Sequence, residues 1–367
     1  MKSKEKWFFV LAAVLLLVVA PLLFSEFRLN LLGKFLAYAI LALGIDLIWG
    51  YTGILSLGHG VFFGLGAYSM AMYLKLEAAA GELPDFMAWS GLMELPWFWQ
   101  PFKHAWFALG MAIILPMALA ALLGFLTFRN RIRGVYFSIL SQALAIIFVT
   151  LFIGQQPYTG GTNGLTNYKS VFGYSLASPT TQTTLYIITA ITLGLVYLFC
   201  RWLTGSRFGR VLMAVRDGEN RLRFTGYDPT VYKVFVYALS AGLAGLAGIL
   251  FVLQVGIISP AAMGIVPSIE MAIWVAVGGR GTLVGAVIGA ILVNAAKSSF
   301  SESFPDAWLY FIGALFVGVV LLFPDGIIGV IKKISVKLWS GKLQAGIPEK
   351  EGLCYGRYDP VHGKHHR

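Results

Sequence analysis

Apolar runs of membrane-spanning length, separated by short polar stretches, recur along the whole chain and set its predicted organisation. They cover residues 7–24, 31–49, roughly 61–74, 105–128, 135–152, 183–200 and 231–253. A short segment, IWVAVGG, a glycine-spaced run after it and residues 308–323 follow. A helix needs about 20 apolar residues to cross the hydrocarbon core, so the pattern predicts an all-α polytopic membrane protein of about ten transmembrane helices. The first run resembles a secretion signal in its basic start, but it continues to Phe24 without a small-residue cleavage site and is read as a retained span. An even number of spans puts the N- and C-termini on one side. Residues 1–330 form the membrane domain and 331–367 a basic tail.

Two of the apolar runs are broken by glycine. Gly50-Tyr51-Thr52-Gly53 is followed by ILSLGHG, and Gly278, Gly279 and Gly281 surround Arg280. Each glycine inside a helix costs about 1 kcal/mol relative to alanine, so neither stretch is expected to hold a regular helix. Backbone opened at membrane depth is tolerated where protein or a water-filled path satisfies it, and one glycine-broken span in each half is a pointer to a transport path. Asp46 stands just before the first break and Glu270 at the head of the second. Ser56, His59 and the exposed carbonyls of the breaks are the other candidate path groups. The alternative is two unrelated packing breaks. SAGLAGLAG at 240–248 spaces Ala241 from Gly245 and Ala244 from Gly248 by four residues, which suits close helix contact, either with a second subunit or within one bundle.

The longest polar stretch between apolar ones, residues 201–233, carries six arginines and one lysine. Leu212, Val215 and Leu222 recur at helical spacing while Arg216, Asn220 and Arg223 line another face, which predicts a short amphipathic helix. Gly226 is placed to end it in the left-handed conformation, and Asp228-Pro229 to start the next helix as N-cap and first residue. Such a helix suits a groove on another protein; the plainer reading is a basic loop anchoring its neighbours. Two outer segments complete the pattern. Residues 75–104, with Trp89, Trp97 and Trp99, read as a structured loop on the membrane surface, and TGGTNGLTN as a flexible one.

Composition narrows the function classes. With 58% hydrophobic and 12% charged residues the chain is not a soluble domain. Its net charge of +11 comes from placement rather than from a surface for nucleic acid. Of the 28 Lys and Arg, 22 fall in residues 1–6, 129–133, 201–233, Arg280 and the stretch from Lys332 onward, which share one side. That asymmetry marks the side as cytoplasmic. Arg28, Lys34, Lys75, Lys103, Lys169 and Lys297 are the exceptions. The two cysteines, Cys200 and Cys354, make no disulfide framework. No phosphate loop, no nucleophile with an evident base and no second ligand at metal spacing from His59 occur, so the chain is expected to be no enzyme and to hold no metal or cofactor. The His362, His365 and His366 tail is a weak metal candidate.

GYTGILSLGHGVFFGLGAY (50–68), AVRDGENRLRFTGYDPTVYK (214–233), SAGLAGLAG (240–248) and VAVGGRGTLVGAVIGA (275–290) together resemble the permeases of branched-chain amino-acid ABC importers. VLQVGIISP, SIEMAIWVAVGGRGTL and PDFMAWSGLMELPWFW resemble the urea-importing branch of that family. The resemblance covers nearly the whole chain. It implies a bacterial inner-membrane permease working with a second, homologous permease, two cytoplasmic ATPases that use ATP and Mg, and an external binding protein. It makes 204–228 a coupling segment, with Arg216, Asp217, Glu219, Arg221 and Gly226 on the family's pattern, and Glu219, Arg216 and Arg221 as expected ATPase contacts. Arg223, where the amino-acid branch tends to carry an acidic residue, departs toward the urea branch. The shortage of charges within the spans agrees with a neutral amide cargo, whose four N–H donors and one strong acceptor suit hydroxyls, carbonyls and His59. A branched-chain amino-acid permease is the second reading, and an ion-coupled transporter or channel the third.

Overall fold

The computed structural model describes residues 14–132, 134–304, 307, 310, 313, 314, 317, 318 and 326–329. Residues 7–13 of the first apolar run, most of the last, Cys354, the histidine tail and all of 331–367 lie outside the described residues. The long helices are α1 (Glu26–Thr52), α2 (His59–Ala78), α3 (Ala105–Arg129), α4 (Val135–Gly154), α5 (Pro179–Gly205), α6 (Arg207–Phe224), α7 (Pro229–Val255), α8 (Ile265–Gly278) and α9 (Leu283–Ser303).

Six of these, α1, α3, α4, α5, α7 and α9, are long and apolar enough to cross a membrane, against the ten spans expected from hydropathy. The difference among the described residues has a simple origin. Helix α2 has 20 residues, enough for about 30 Å, but His59, Lys75, Glu77 and its glycines lower its hydropathy. Helix α8, with 14 residues, reaches only about 21 Å.

The bundle is sorted by burial. In their most apolar windows α1 and α7 are each 78% buried, whereas α3 and α4 are 22% and 17% buried. Apolar side chains on all faces therefore serve a core position in the first pair and a lipid-facing one in the second. Helix α7 lies at the centre, against α1, α2 and α3. Glycine makes that approach possible: a Cβ on Gly248 would run into the Phe63 carbonyl and Ala67 of α2, and one on Gly245 into the Ala112 carbonyl of α3. The SAGLAGLAG stripe is thus consumed by packing within this chain. Cys200 is buried as a free thiol.

The segment 53–58 is non-helical and runs inward from the end of α1. Ser138 Oγ on α4 donates to the Leu55 carbonyl at 2.8 Å, and the Leu57 N–H donates to Ser141 Oγ at 2.9 Å. Helix α2 accordingly starts inside the bundle, with Gly60 beside Ser268 and Ala262. Its far end is fastened. Lys75 Nζ donates to Asp85 at 3.0 Å and to the Thr166 carbonyl at 2.8 Å. Glu77 accepts from the backbone of Phe172 and Gly173 and from Ser170 Oγ. Ser170–Val171 (β1) and Tyr174–Ser175 (β2) form a small antiparallel hairpin there. The TGGTNGLTN loop, expected to be flexible, is held by a two-way backbone bridge between Leu165 and Ile258.

Candidate functional site

The amphipathic segment folds as α6. Ser206 caps its start by accepting from the Phe208 and Gly209 N–H groups, and it stops where the sequence indicates, with Gly226 at φ +87°. Asp228 then accepts from the Thr230 N–H at 2.9 Å as the cap of α7. That N–H, before any neighbouring cation, holds the Asp228 carboxyl below the usual carboxylate range. Leu212 and Val215 turn inward, while Asp217, Asn220 and Arg221 are exposed. The helix kinks at Gly218, whose φ of −174° is ordinary extended backbone.

Glu219, an expected ATPase contact, is held by two cations of this chain. Its side chain is only 10% exposed, bonded to Lys233 Nζ at 2.6 Å and to Arg223 Nη2 at 3.2 Å. The carboxylate fixes the tip of α6 to the start of α7. That Lys233 and Arg223 hold it was not legible in the sequence. A cavity of about 270 Å³ opens beside this pair, lined by Thr52, Gly53, Phe137, Arg216 and Lys233 among others.

Arg216 links α6 to the bundle core. Its Nη1 donates to the Gly50 carbonyl of α1 at 2.8 Å, and its Nε pairs with Asp217 at 2.9 Å. One turn back along α1, Asp46 Oδ1 accepts the Gly281 N–H at 2.7 Å. Arg280 is exposed and lies over the Trp49 ring, 5.2 Å from its centre. Gly50 has no room for a side chain, since a Cβ there would strike both Asp46 and Gly281. The second glycine break is therefore joined through the last turn of α1 to α6. Gly278 packs on Gly285, and Gly279 and Gly281 have φ of +116° and +70°, which glycine alone adopts cheaply. Sequence reasoning found Asp46, Gly278, Gly279, Arg280 and Arg216 separately, and the structure brings them into one layer.

Ser56 and His59 stand apart from that layer. Asp46, Ser56 and His59 are all 0–1% exposed. His59 Nε2 is 2.7 Å from Ser240 Oγ, which itself lies 2.6 Å from the Gly44 carbonyl. The one Ser240 hydrogen goes to the carbonyl, so His59 carries its proton on Nε2 and Nδ1 has no hydrogen-bond partner. Tyr237 meets His59, Phe62 and Phe137 edge-on.

Glu270 on α8 pairs with Lys297 on α9 at 2.7 Å. Lys34 on α1 lies within electrostatic range of both. The charges that looked scarce along the spans thus converge in one place, which the sequence conceals because they are far apart in the chain. Among the described residues no group of three or more His, Cys, Asp or Glu is placed to hold a metal.

A family described as "Branched-chain amino acid transport system / permease component" matches residues 27–320. The high-affinity branched-chain amino acid transport system permease protein LivM of Escherichia coli K12 is 26% identical over 361 residues, covering 92% of this chain and 78% of that one. The corresponding LivH protein of the same strain is 24% identical, covering 80% of this chain and 91% of its own length. The ribose import permease protein RbsC of that strain is 26% identical over 52% of this chain and 60% of its own. No solved structure matches the chain.

Proposed function

Because the chain belongs to the branched-chain amino acid transport permease family, we propose that it is one of two homologous permeases in an ATP-driven importer of urea or a related small amide. It is a transport subunit rather than an enzyme, and a multi-pass protein of the bacterial inner membrane. In this reading the basic side faces the cytoplasm, two ATPase subunits use ATP and Mg there, and this chain binds neither. An external binding protein delivers the cargo to the opposite face. Lipid covers α3 and α4.

One observation carries the mechanical part. Asp217, Asn220 and Arg221 lie on the exposed side of α6, while Arg216 ties the same helix to Gly50, beside the break at Gly281. A push on α6 is passed to the end of α1 and from there to the loop between α8 and α9. Nucleotide-dependent closure of the ATPases then favours one facing of the path over the other. The urea assignment is supported by the segments at 84–99, 252–260 and 268–283. Branched-chain amino acids are the second reading, favoured by the transport systems to which the relatives belong.

Deletion of the gene tests the cargo. Cells dependent on low external urea are expected to lose urea uptake while leucine uptake survives; the opposite pattern assigns the amino acids instead. Conduction by the purified chain alone, without a nucleotide-hydrolysing partner, rejects the importer reading altogether.

A further inference from the structure

Lys34 and Tyr38 lie one turn apart on α1, and Glu270 and Trp274 one turn apart on α8. The Tyr38 and Trp274 rings are 4.8 Å apart, so the two helices are in contact at that level. Lys34 Nζ lies over Tyr38, 5.9 Å from the ring centre, and Glu270 is 2.7 Å from Lys297. We propose that Lys34, Glu270 and Lys297 form a cargo-contact site for a small uncharged amide, Glu270 accepting two amide N–H groups and Lys34 donating to the carbonyl oxygen. The inference rests on the importer reading above and places its cargo within this subunit.

Three ionisable side chains gather here within the apolar helices, and an ion pair accounts for two of them. Lys34 makes no ion pair among the described residues, and the Glu270–Lys297 pair already uses the one carboxylate. The Lys297 side chain is 30% exposed, so the cluster opens onto the surface of the chain rather than being sealed like His59. A carboxylate is planar and takes two parallel N–H donors, as an amide nitrogen pair presents, and an ammonium is a strong donor to the carbonyl. A neutral cargo also enters at lower desolvation cost than a zwitterion.

The position connects the site to the rest of the machine. Lys34 is 16 residues, about 24 Å, along α1 from Gly50, on the far side of the bundle from α6. Helix α8 carries Glu270 near its start and ends in the glycines next to Asp46. Movement of that break shifts Glu270 against Lys34 and Lys297, which loosens the site as the opposite end of α8 opens.

The test uses the complete complex, with its second permease and ATPases, in proteoliposomes with the external binding protein. Wild-type uptake of labelled urea is measured first; absence of uptake for urea and for other small amides rejects the cargo reading and this site with it. Against an active wild type, Lys34→Met and Glu270→Gln are expected to lower urea uptake at least tenfold, with subunit recovery and nucleotide hydrolysis unchanged. Lys34→Met breaks no ion pair and so serves even where Glu270→Gln fails to fold. The exchange of Glu270→Lys with Lys297→Glu is expected to assemble normally and still fail to transport. Recovery of uptake by that exchange would make the cluster a structural pair and overturn the proposal. So would loss of the second permease from the Lys34→Met complex, or unchanged urea uptake alongside lost leucine uptake.

Discussion

The two glycine breaks look alike in sequence and differ in what holds them. The first, at 53–58, is secured by neutral hydrogen bonds to α4 and by the His59–Ser240–Gly44 chain, all closed within the core. The second, at 279–281, is secured by a carboxylate from α1, with an arginine from α6 bonded one turn away. Neutral bonds inside a packed core fix a position. Charged contacts reaching from an exposed helix give an outside partner a way to move one. In the proposed importer the first break would then serve architecture and the second transmission, although both were equally plausible path elements at first sight.

Substitutions can break or sharpen that contrast. The largest effect is expected from Asp46→Ala, which removes the acceptor for Gly281 and should cut cargo uptake at least tenfold in the assembled complex. Asp46→Asn keeps an acceptor oxygen and should lose less; equal loss in both variants would show that the charge matters rather than the hydrogen bond. Arg216→Ala should lower uptake several-fold while nucleotide hydrolysis continues, because the push on α6 no longer reaches Gly50. If hydrolysis and uptake fall together, Arg216 acts in partner docking instead of in transmission.

Smaller effects are expected at the first break. His59→Phe removes the hydrogen bond to Ser240 and should cost about 1–2 kcal/mol of stability, read as a lower thermal midpoint in detergent, with coupling between hydrolysis and uptake preserved. Uncoupled hydrolysis in that variant would erase the distinction between the breaks. The smallest effect belongs to Asp228→Ala, about 1 kcal/mol from loss of the α7 cap. The folded-state pKa of Asp228 lies below its unfolded value, so its contribution is present above the ordinary carboxylate pKa and is lost as pH falls through the folded value. The wild-type and variant stabilities should therefore converge in acid and differ by a constant amount near neutrality.

Local signals carried much of this architecture. The amphipathic spacing of Leu212 and Val215, the stop at Gly226 and the cap at Asp228 depend on neighbours in the chain, and each is found where the sequence puts it. The glycine breaks were legible for the same reason. Partners were not: nothing near Glu219 shows that Lys233 lies 2.6 Å away, and nothing near Glu270 singles out Lys297. Ion pairs between helices are set by how the bundle closes, which periodicity does not encode. Six of the ten expected spans are found among the described residues, and α8, which hydropathy gives the look of a span, has the length of half of one.

Helix α2 has its upper end stapled through Lys75 and Glu77 to the strip that contains Asp85, Thr166 and the 170–175 hairpin. Its lower end abuts α8 through Gly60 and Ser268. A load applied by a body resting on that outer strip is consequently delivered at mid-depth, beside the start of α8, without passing through any flexible linker among the described residues. In the proposed importer, a visitor on one face would be felt at the same half-helix that the opposite face drives.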